Sequence, residues 1–443
     1  MTHPDKAFAD TAGTTINRSI FSDSTTHQRE LARVFSRTWL FLAHEGQFRK
    51  PGDFFTTYMG ADPVIVTRRR DGGYNALLNS CRHRGMRVCR FDEGNAQVFT
   101  CPYHGWGYNT DGALVTVPDQ DNSYGDSLDT SAWGLRVVPR IETYKGLIFG
   151  TWDTEIPSLI DYLGDYTFYL DLMLDPDGQG SDVVPNVHKW RMRGNWKLGA
   201  EQFCGDMYHA ASTHLSAMIV EAQNSHGIMP PTTGLQVALP NGHGLGGFDA
   251  YDYWGASGLS EQTVEWMAGL QDRTEAHLGR ARARDAVLIH GTIFPNASLL
   301  WPRWNLRVWH PKGPDAMEVY SWCILPRSAP DSVRRDLLLD YQRHFSASGT
   351  WEQDDGEQWN YATNSHDGFM TRDLPLNYGM GQGRAANTRF PEFPGVIDEV
   401  NSEINQRMFY KRWEQLMAEP HARETSAQAT TRHAEAQIAV VQS

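Results

Sequence analysis

Cys81-Arg82-His83 and Cys101-Pro102-Tyr103-His104 stand 17 residues apart and give the pattern C-x-H, x17, C-x2-H. Two such pairs on two loops can hold one metal centre between them. Thiolate and imidazole suit both zinc and iron–sulfur chemistry, so ligand type alone does not choose the metal. Zinc fingers pair Cys with Cys and His with His, whereas each loop here offers one of each. A two-iron centre needs that arrangement when one iron is held by two thiolates and the other by two imidazoles. Cys89 is a competing thiol, but it has no histidine partner and is expected to pack as a small buried residue.

A second concentration of ligands is the run from Gly194 to His214, which holds Glu201, Asp206, His209 and His214. His209 and His214 are five residues apart, which on a regular helix leaves them about 140° apart, so both face one metal only across a wide turn or a local distortion. Two His and one carboxylate on one face of a metal leave positions open for oxygen, the arrangement of non-haem iron(II) oxygenases. The carboxylate must come from elsewhere in the chain, and the best candidate is the acidic cluster from Trp351 to Glu357. Taken alone, such a cluster reads more readily as a solvated turn or a helix start.

Cys81-Arg82-His83-Arg84-Gly85 with Cys101-Pro102-Tyr103-His104-Gly105-Trp106 resembles the Rieske domain of aromatic-ring-hydroxylating oxygenase large subunits. The whole chain from about Phe35 to Trp413 is similar to those subunits, most of all to the toluene, biphenyl, phenylpropionate and polycyclic-hydrocarbon branch. The resemblance implies that Cys81 and Cys101 hold the inner iron of a 2Fe–2S cluster, and His83 and His104 the outer one near the surface. It implies that Asp355, the second Asp of W-E-x-D-D, joins His209 and His214 on a mononuclear Fe(II). Asp206 matches the acid that carries electrons from His104 of a neighbouring chain to His209. The implied reaction adds both atoms of dioxygen to an aromatic ring and yields a cis-dihydrodiol.

By the same resemblance the substrate pocket is lined by Gln202, Phe203, Met207, Ala210, Phe345 and the segment Trp301-Pro302-Arg303-Trp304-Asn305. Arg303 departs from the apolar residue expected of hydrocarbon-specific members. Facing the iron, it would bind an aromatic carboxylate such as phthalate in two-pronged fashion; turned outward, it leaves a hydrocarbon pocket. Two rival readings keep part of the site. One is a monooxygenase or demethylase with the same irons, and the other is a non-catalytic electron-transfer protein using only Cys81, His83, Cys101 and His104.

Positioning these residues takes more than one core, since 443 residues exceed the size at which a single core keeps growing. A helix is expected over His27–Trp39. Short strands at 63–67, 74–80, 97–100 and 146–152, separated by Gly, Asp and Asn turns, read as a small all-β unit. Helices are expected at 156–175, 260–286, 331–345 and about 400–417, with strands at 306–310 and 317–325. The expected fold class is α+β. Residues 1–39 form an N-terminal helical segment packing with the catalytic domain, and 40–155 an all-β iron–sulfur domain. Residues 156–420 form an α+β catalytic domain built, as the resemblance implies, on an antiparallel sheet flanked by helices, and 421–443 a polar tail read as disordered. The run Gly242-His243-Gly244-Leu245-Gly246-Gly247 neither follows a clear strand nor opens a clear helix, so it reads as a flexible loop and not a phosphate site.

A formal charge of -13 argues against nucleic acid as a partner. No apolar run approaches the roughly 18 residues of a membrane span, and the first fifteen residues do not read as a secretory signal, which makes the cytoplasm the expected compartment. Five cysteines are an odd and sparse set, against a disulfide framework and for a reducing environment. With no flavin or nicotinamide fingerprint, electrons from NADH must arrive through other proteins, a reductase and a ferredoxin. The resemblance further implies a small β subunit and a trimer or α3β3 assembly.

Overall fold

The computed structural model describes residues 6–224, 233–249, 258–285, 288–384 and 387–419. The expectation for the tail, residues 421–443, lies outside them. An all-β unit comes first. The strands Tyr74–Leu78, Asp62–Arg68, Asp53–Met59 and Glu93–Asn95 form one sheet, and Val98–Thr100, Gly107–Asn109 and Leu114–Thr116 a second. Side chains alternate across the first sheet as the two-residue period of a strand requires. Phe54, Ile65 and Leu77 turn into a small core with Phe99, Trp106 and Tyr108, while Phe55, Val64, Val66 and Ala76 turn into the larger core of the rest of the chain. The unit is therefore welded to its neighbour along one face.

The second unit is built on a nine-stranded sheet. Its order is Ser181–Val183, Ala316–Pro326, Asn305–Pro311, Ala297–Trp301, Leu288–Ile293, Gly244–Phe248, Gly234–Ala238 and Val396–Glu399, with His188–Arg193 also paired to Ala316–Pro326. Every pairing is antiparallel. Helices Trp196–Phe203, Asp331–Phe345, Thr350–His366 and Ile404–Ala418 flank it. Helix Trp196–Phe203 lies so close to the sheet that a Cβ on Gly199 would come within 2.7 Å of the Trp309 ring.

Several elements differ from the sequence reading. The first helix is Ser24–Arg33, capped by Asp23 through Thr26 N–H at 2.8 Å, and it ends six residues before Trp39. The Phe35 N–H reaches back to the Glu30 carbonyl, widening the last turn, so Val34, Phe35 and Trp39 are buried in a turn instead of on a helix face. The stretch 156–175 breaks into Leu159–Leu163 and Thr167–Leu174 at Gly164, whose φ is 49°. Likewise Gly279, at φ 90°, separates Glu261–Leu278 from Arg280–Arg284. The largest correction concerns 242–247, which is no loose loop: Gly244–Phe248 is a buried strand inside the main sheet.

The first helix is tied to the catalytic unit by a buried charge cluster. Glu30 accepts from Lys197 Nζ at 2.6 Å and from the indole N–H groups of Trp196 and Trp413, each at 2.9 Å. A fully buried ammonium needs such a partner, and three donors satisfy the carboxylate.

Candidate metal centres and pocket

The two Cys/His loops are near copies of one another. The Cys81 N–H donates to the Met86 carbonyl and the Gly85 N–H to the Cys81 carbonyl; the Cys101 N–H donates to Trp106 and the Gly105 N–H to Cys101. Each loop thus closes over five residues, and each has a glycine at positive φ in the same place, 74° at Gly85 and 76° at Gly105. The loops bring like to like. Cys81 and Cys101 are buried, unoxidised and adjacent, and burial followed by the neighbouring thiol raises the Cys101 pKa. The His83 and His104 rings lie 4.6 Å apart, half-buried at the outer edge, with His83 stacked on Trp106 and His104 on Tyr103.

Tyr108 reaches under this group: its hydroxyl is 3.3 Å from Cys81 Sγ and accepts from the Arg82 N–H. His83 Nδ1 is buried without a hydrogen-bond partner. A side-by-side thiol pair beneath an imidazole pair with an unused nitrogen matches the donor set of a two-iron cluster held unequally by sulfur and nitrogen. Cys89 is buried and its thiol faces the Phe91 carbonyl, in keeping with a packing role.

The second centre lies where helix Trp196–Phe203 ends. The chain turns at Cys204-Gly205, and Gly205 has φ 136°. A Cβ there would lie 1.8 Å from Asn405 Nδ2 and 2.8 Å from the Gly246 nitrogen. Glycines 244 and 246 answer from the strand below, since a Cβ on either would strike Cys204 or Gly205 at 2.5–2.6 Å. Asn405 rivets the contact by donating to the Cys204 carbonyl at 2.7 Å and to Gln236 at 2.6 Å. The glycine-rich stretch is what lets this turn sit directly on the sheet.

From that turn the chain makes one short helix, Ala210–Thr213, with His209 before it and His214 after it. This is the local distortion that a five-residue spacing demands. Asp355 comes from the second turn of Thr350–His366, whose buried stripe is Trp351, Glu352, Asp355, Trp359, Thr363 and His366. His209 Nε2, His214 Nε2 and an Asp355 oxygen all lie within 4.8 Å of one another.

The protonation pattern fits a cation. His209 Nδ1 lies against the Asp206 carbonyl and carboxylate, and His214 Nδ1 is 3.2 Å from Asp354 Oδ2. Those acceptors favour ring protons on Nδ1, and in that tautomer both Nε2 atoms present lone pairs to the space between them. The two Nε2 atoms nevertheless approach to 3.2 Å, and Asp355 Oδ1, at 3.3 Å and 3.5 Å from them, is buried without a hydrogen bond. Three electron-rich atoms converging in this way are stable only around a positive charge. Burial works against ionisation of Asp355, and with the imidazoles protonated His214 and then His209 outweigh it and hold the carboxyl below its ordinary pKa, a part that a bound cation would take over. Gln202 leans on the same group, its Nε2 3.4 Å from His209 Nε2 while its Oε1 takes the Trp359 N–H at 2.7 Å.

The adjoining pocket is lined by Gln202, Phe203, Met207, Ala210, Arg303 and Phe345 among the residues expected, together with His209, His214 and Asp355. Asn305, expected there from the sequence, is not part of it: its Oδ1 accepts from Ser321 Oγ, because it sits in the sheet opposite Cys323. Trp301, Pro302 and Trp304 do not line it either; Trp301 and Trp304 pack on each other in the buried turn. Arg303 faces the pocket but is 1 % exposed, stacks over Trp351 and gives Asp340 two hydrogen bonds, of 2.8 Å and 2.9 Å. The sequence reading missed Met218, Phe248, Leu288, His290, Leu300 and Trp351 as lining residues. The two-residue strand period carried a signal for some of them: Leu288 and His290 share a face once 288–293 is read as a strand.

Comparisons agree with this anatomy. Residues 38–144 match the family model of the Rieske [2Fe-2S] domain, and 161–419 that of the ring hydroxylating alpha subunit catalytic domain. The chain is 41% identical over 428 residues to chlorobenzene dioxygenase subunit alpha of Cupriavidus sp. (strain PS12), covering 93% of this chain and 92% of that one. It is 39% identical to biphenyl 2,3-dioxygenase subunit alpha of Rhodococcus jostii (strain RHA1), covering 90% and 88%. A solved structure of naphthalene 1,2-dioxygenase with indole bound in the active site superposes with a TM-score of 0.86 at 33% identity, covering 98% of this chain and 99% of that one. The family's 2Fe–2S cluster and mononuclear iron, and its indirect use of NADH, come with that relationship. The chain belongs to the Rieske-type ring-hydroxylating oxygenases and is the alpha subunit of an aromatic-ring dioxygenase.

Proposed function

We propose that this subunit forms cis-dihydrodiols from aromatic hydrocarbons, mono- or polycyclic, in preference to aromatic carboxylates. The observation that carries the preference is the Arg303–Asp340 pair. A guanidinium whose charge is already balanced by a buried carboxylate draws a substrate anion weakly, since a second carboxylate would have to desolvate beside the first. The rest of the wall is Phe203, Met207, Met218, Phe248, Leu300 and Phe345, which suits an apolar ring. The names of the chlorobenzene and biphenyl relatives point the same way.

In this reading Cys81, Cys101, His83 and His104 hold the cluster, and His209, His214 and Asp355 the mononuclear iron. The irons supply electron storage and activation of dioxygen when bound. The chain's own residues fix the geometry: Asp206 and Asp354 orient the two imidazoles, Gln202 and Trp359 brace His209, and the apolar wall excludes water. Asp206 keeps a partly exposed carboxylate beside His209, which suits it to receive electrons by way of His104 of a neighbouring copy. That route calls for a trimer, with or without a β subunit, supplied by a ferredoxin and a reductase in the cytoplasm. No described helix is long and apolar enough to cross a membrane. We divide the chain into an N-terminal segment at 1–39, a Rieske domain at 40–155 and a catalytic domain at 156–420.

The test is turnover of naphthalene, biphenyl, phenylpropionate and phthalate under labelled dioxygen, with a ferredoxin and reductase. Two labels in a hydrocarbon product support the proposal. A single label would move it to a monooxygenase, and turnover of phthalate alone would overturn the hydrocarbon preference. Replacing Arg303 by Leu would leave the buried Asp340 carboxylate with His344 but without its guanidinium, so the informative variant is the double change Arg303→Leu with Asp340→Asn. It is expected to keep hydrocarbon turnover within about threefold, because both charges of the buried pair are removed together and an amide at 340 still offers an oxygen to His344.

A further inference from the structure

His290 is a polar side chain in the pocket wall that the metal site does not use. It sits in the strand Leu288–Ile293, where the two-residue alternation turns Leu288 and His290 into the pocket and Ile289 away from it. Its ring lies 5.5 Å from Phe203 and 6.5 Å from His209, so it borders the edge of the pocket nearest the three ligands. The residue is 5 % exposed, and its Nε2 is buried without a hydrogen-bond partner. Its polar neighbours in the wall are committed elsewhere: Gln202 to Trp359 and His209, Arg303 to Asp340, and Asp355 to the two ligand histidines.

A buried imidazole nitrogen left unpaired is unfavourable, and an aromatic hydrocarbon offers it nothing beyond the ring face. The reaction changes that. A cis-dihydrodiol brings two hydroxyl groups into the same apolar space, at the edge of the ring that was attacked. A neutral imidazole has one donor and one acceptor, and a hydroxyl complements either. We infer that His290 is a positioning residue that hydrogen-bonds a newly formed hydroxyl of the product diol, and so binds the hydroxylated ring edge more tightly than the parent arene. Interactions of that kind strengthen as the C–O bonds form, so they orient the attacked edge as well as hold the product. This inference rests on the dioxygenase reading of the pocket.

The probe is cis-1,2-dihydro-1,2-dihydroxynaphthalene, with naphthalene as its parent, bound to the iron-loaded protein without reductant and followed by equilibrium dialysis. His290→Phe is expected to weaken diol binding about tenfold, the scale at which a site built for a hydroxyl loses it, with naphthalene within about twofold. His290→Gln, which restores a donor and an acceptor, should recover part of the diol affinity, and iron content should be unchanged in both. Equal diol affinity in wild type and His290→Phe would overturn the inference. Should the Phe variant not fold, the wild-type crystal complex with the diol decides: a His290 nitrogen within about 3.2 Å of a diol oxygen supports it, and both oxygens turned away from His290 refute it. If the protein forms no cis-diol from any arene, the functional reading itself fails. Diol formation with unaltered affinity in the variant defeats only the role of His290.

Discussion

At the candidate cluster site, each Cys/His pair is set by a five-residue loop closed on itself; at the candidate mononuclear site, His214 and the Asp354–Asp355 pair come from segments about 140 residues apart. The first rests on a glycine at positive φ in each loop, with open space where a Gly85 Cβ would be but Pro118 only 2.8 Å from where a Gly105 Cβ would be. The second needs a turn pressed on a glycine strand, an asparagine rivet, a braced glutamine and two acids behind the imidazoles. Local encoding makes a site tolerant of its surroundings, and tertiary encoding makes it hostage to them.

The largest effect should come from the tertiary site. Asp355→Ala removes the anion between two imidazoles, and we expect loss of roughly one iron in three, with activity falling by at least about 1,000-fold while the cluster spectrum is retained. Iron counting with the visible spectrum of the cluster checks it. Full iron content would mean that Asp355 is not a ligand.

The contrast between the two glycines comes next. Gly205→Ala forces a Cβ into Asn405 and Gln236, and is expected to prevent folding or to lower stability by more than about 4 kcal/mol. Gly85→Ala meets no neighbour and pays only for positive φ, about 1 kcal/mol. Denaturation midpoints of the two variants, measured side by side, would erase the comparison if they came out equal.

That asymmetry also explains what the sequence could convey. The C-x-H and C-x2-H loops, with their glycines, declare themselves because every determinant is within six residues. Asp355 becomes a candidate only through the family resemblance: an acidic run reads as solvent-facing until one knows that helix Thr350–His366 buries Trp351, Glu352 and Asp355 against the site. The run from 242 to 247 misleads for the same reason. Glycine propensity signals a loop, and only the turn at Cys204–Gly205 lying on top of it shows why side chains are excluded there. Asn305 shares a sheet face with His290, since each pairs with Leu300, so strand alternation alone could not tell that one lines the pocket while the other is taken up by Ser321.

A third effect probes the scaffold through pH. Glu201 lies half-buried on the site helix and accepts from Tyr378 Oη at 2.8 Å and 3.0 Å and from Tyr410 Oη. Burial is the main cause that pushes its pKa up from 4.5 to about 8, against the two hydroxyls that lower it, with Asp206 and Glu403 adding to the rise. A carboxyl raised in the folded state favours folding below its unfolded pKa. That contribution is lost as pH climbs from about 4.5 to about 8, with a ceiling near 5 kcal/mol for a shift of this size. Glu201→Gln cannot ionise, so its stability should decline less than that of the wild type over this window. Parallel stability curves would show that Glu201 titrates normally.

The smallest effect belongs to the local site. Tyr108 places its hydroxyl 3.3 Å from Cys81 Sγ, and that hydroxyl also accepts from the Arg82 N–H, which leaves its own proton for the sulfur. Hydrogen bonds to cluster sulfurs stabilise the more negative, reduced state. Tyr108→Phe should therefore lower the cluster potential by tens of millivolts without loss of cluster or mononuclear iron, because the loop is closed by its own backbone. A voltammetric potential equal to that of the wild type would show that the hydroxyl proton does not reach the thiolate. Loss of the cluster would mean instead that the loop depends on its tertiary neighbours as heavily as the mononuclear site does.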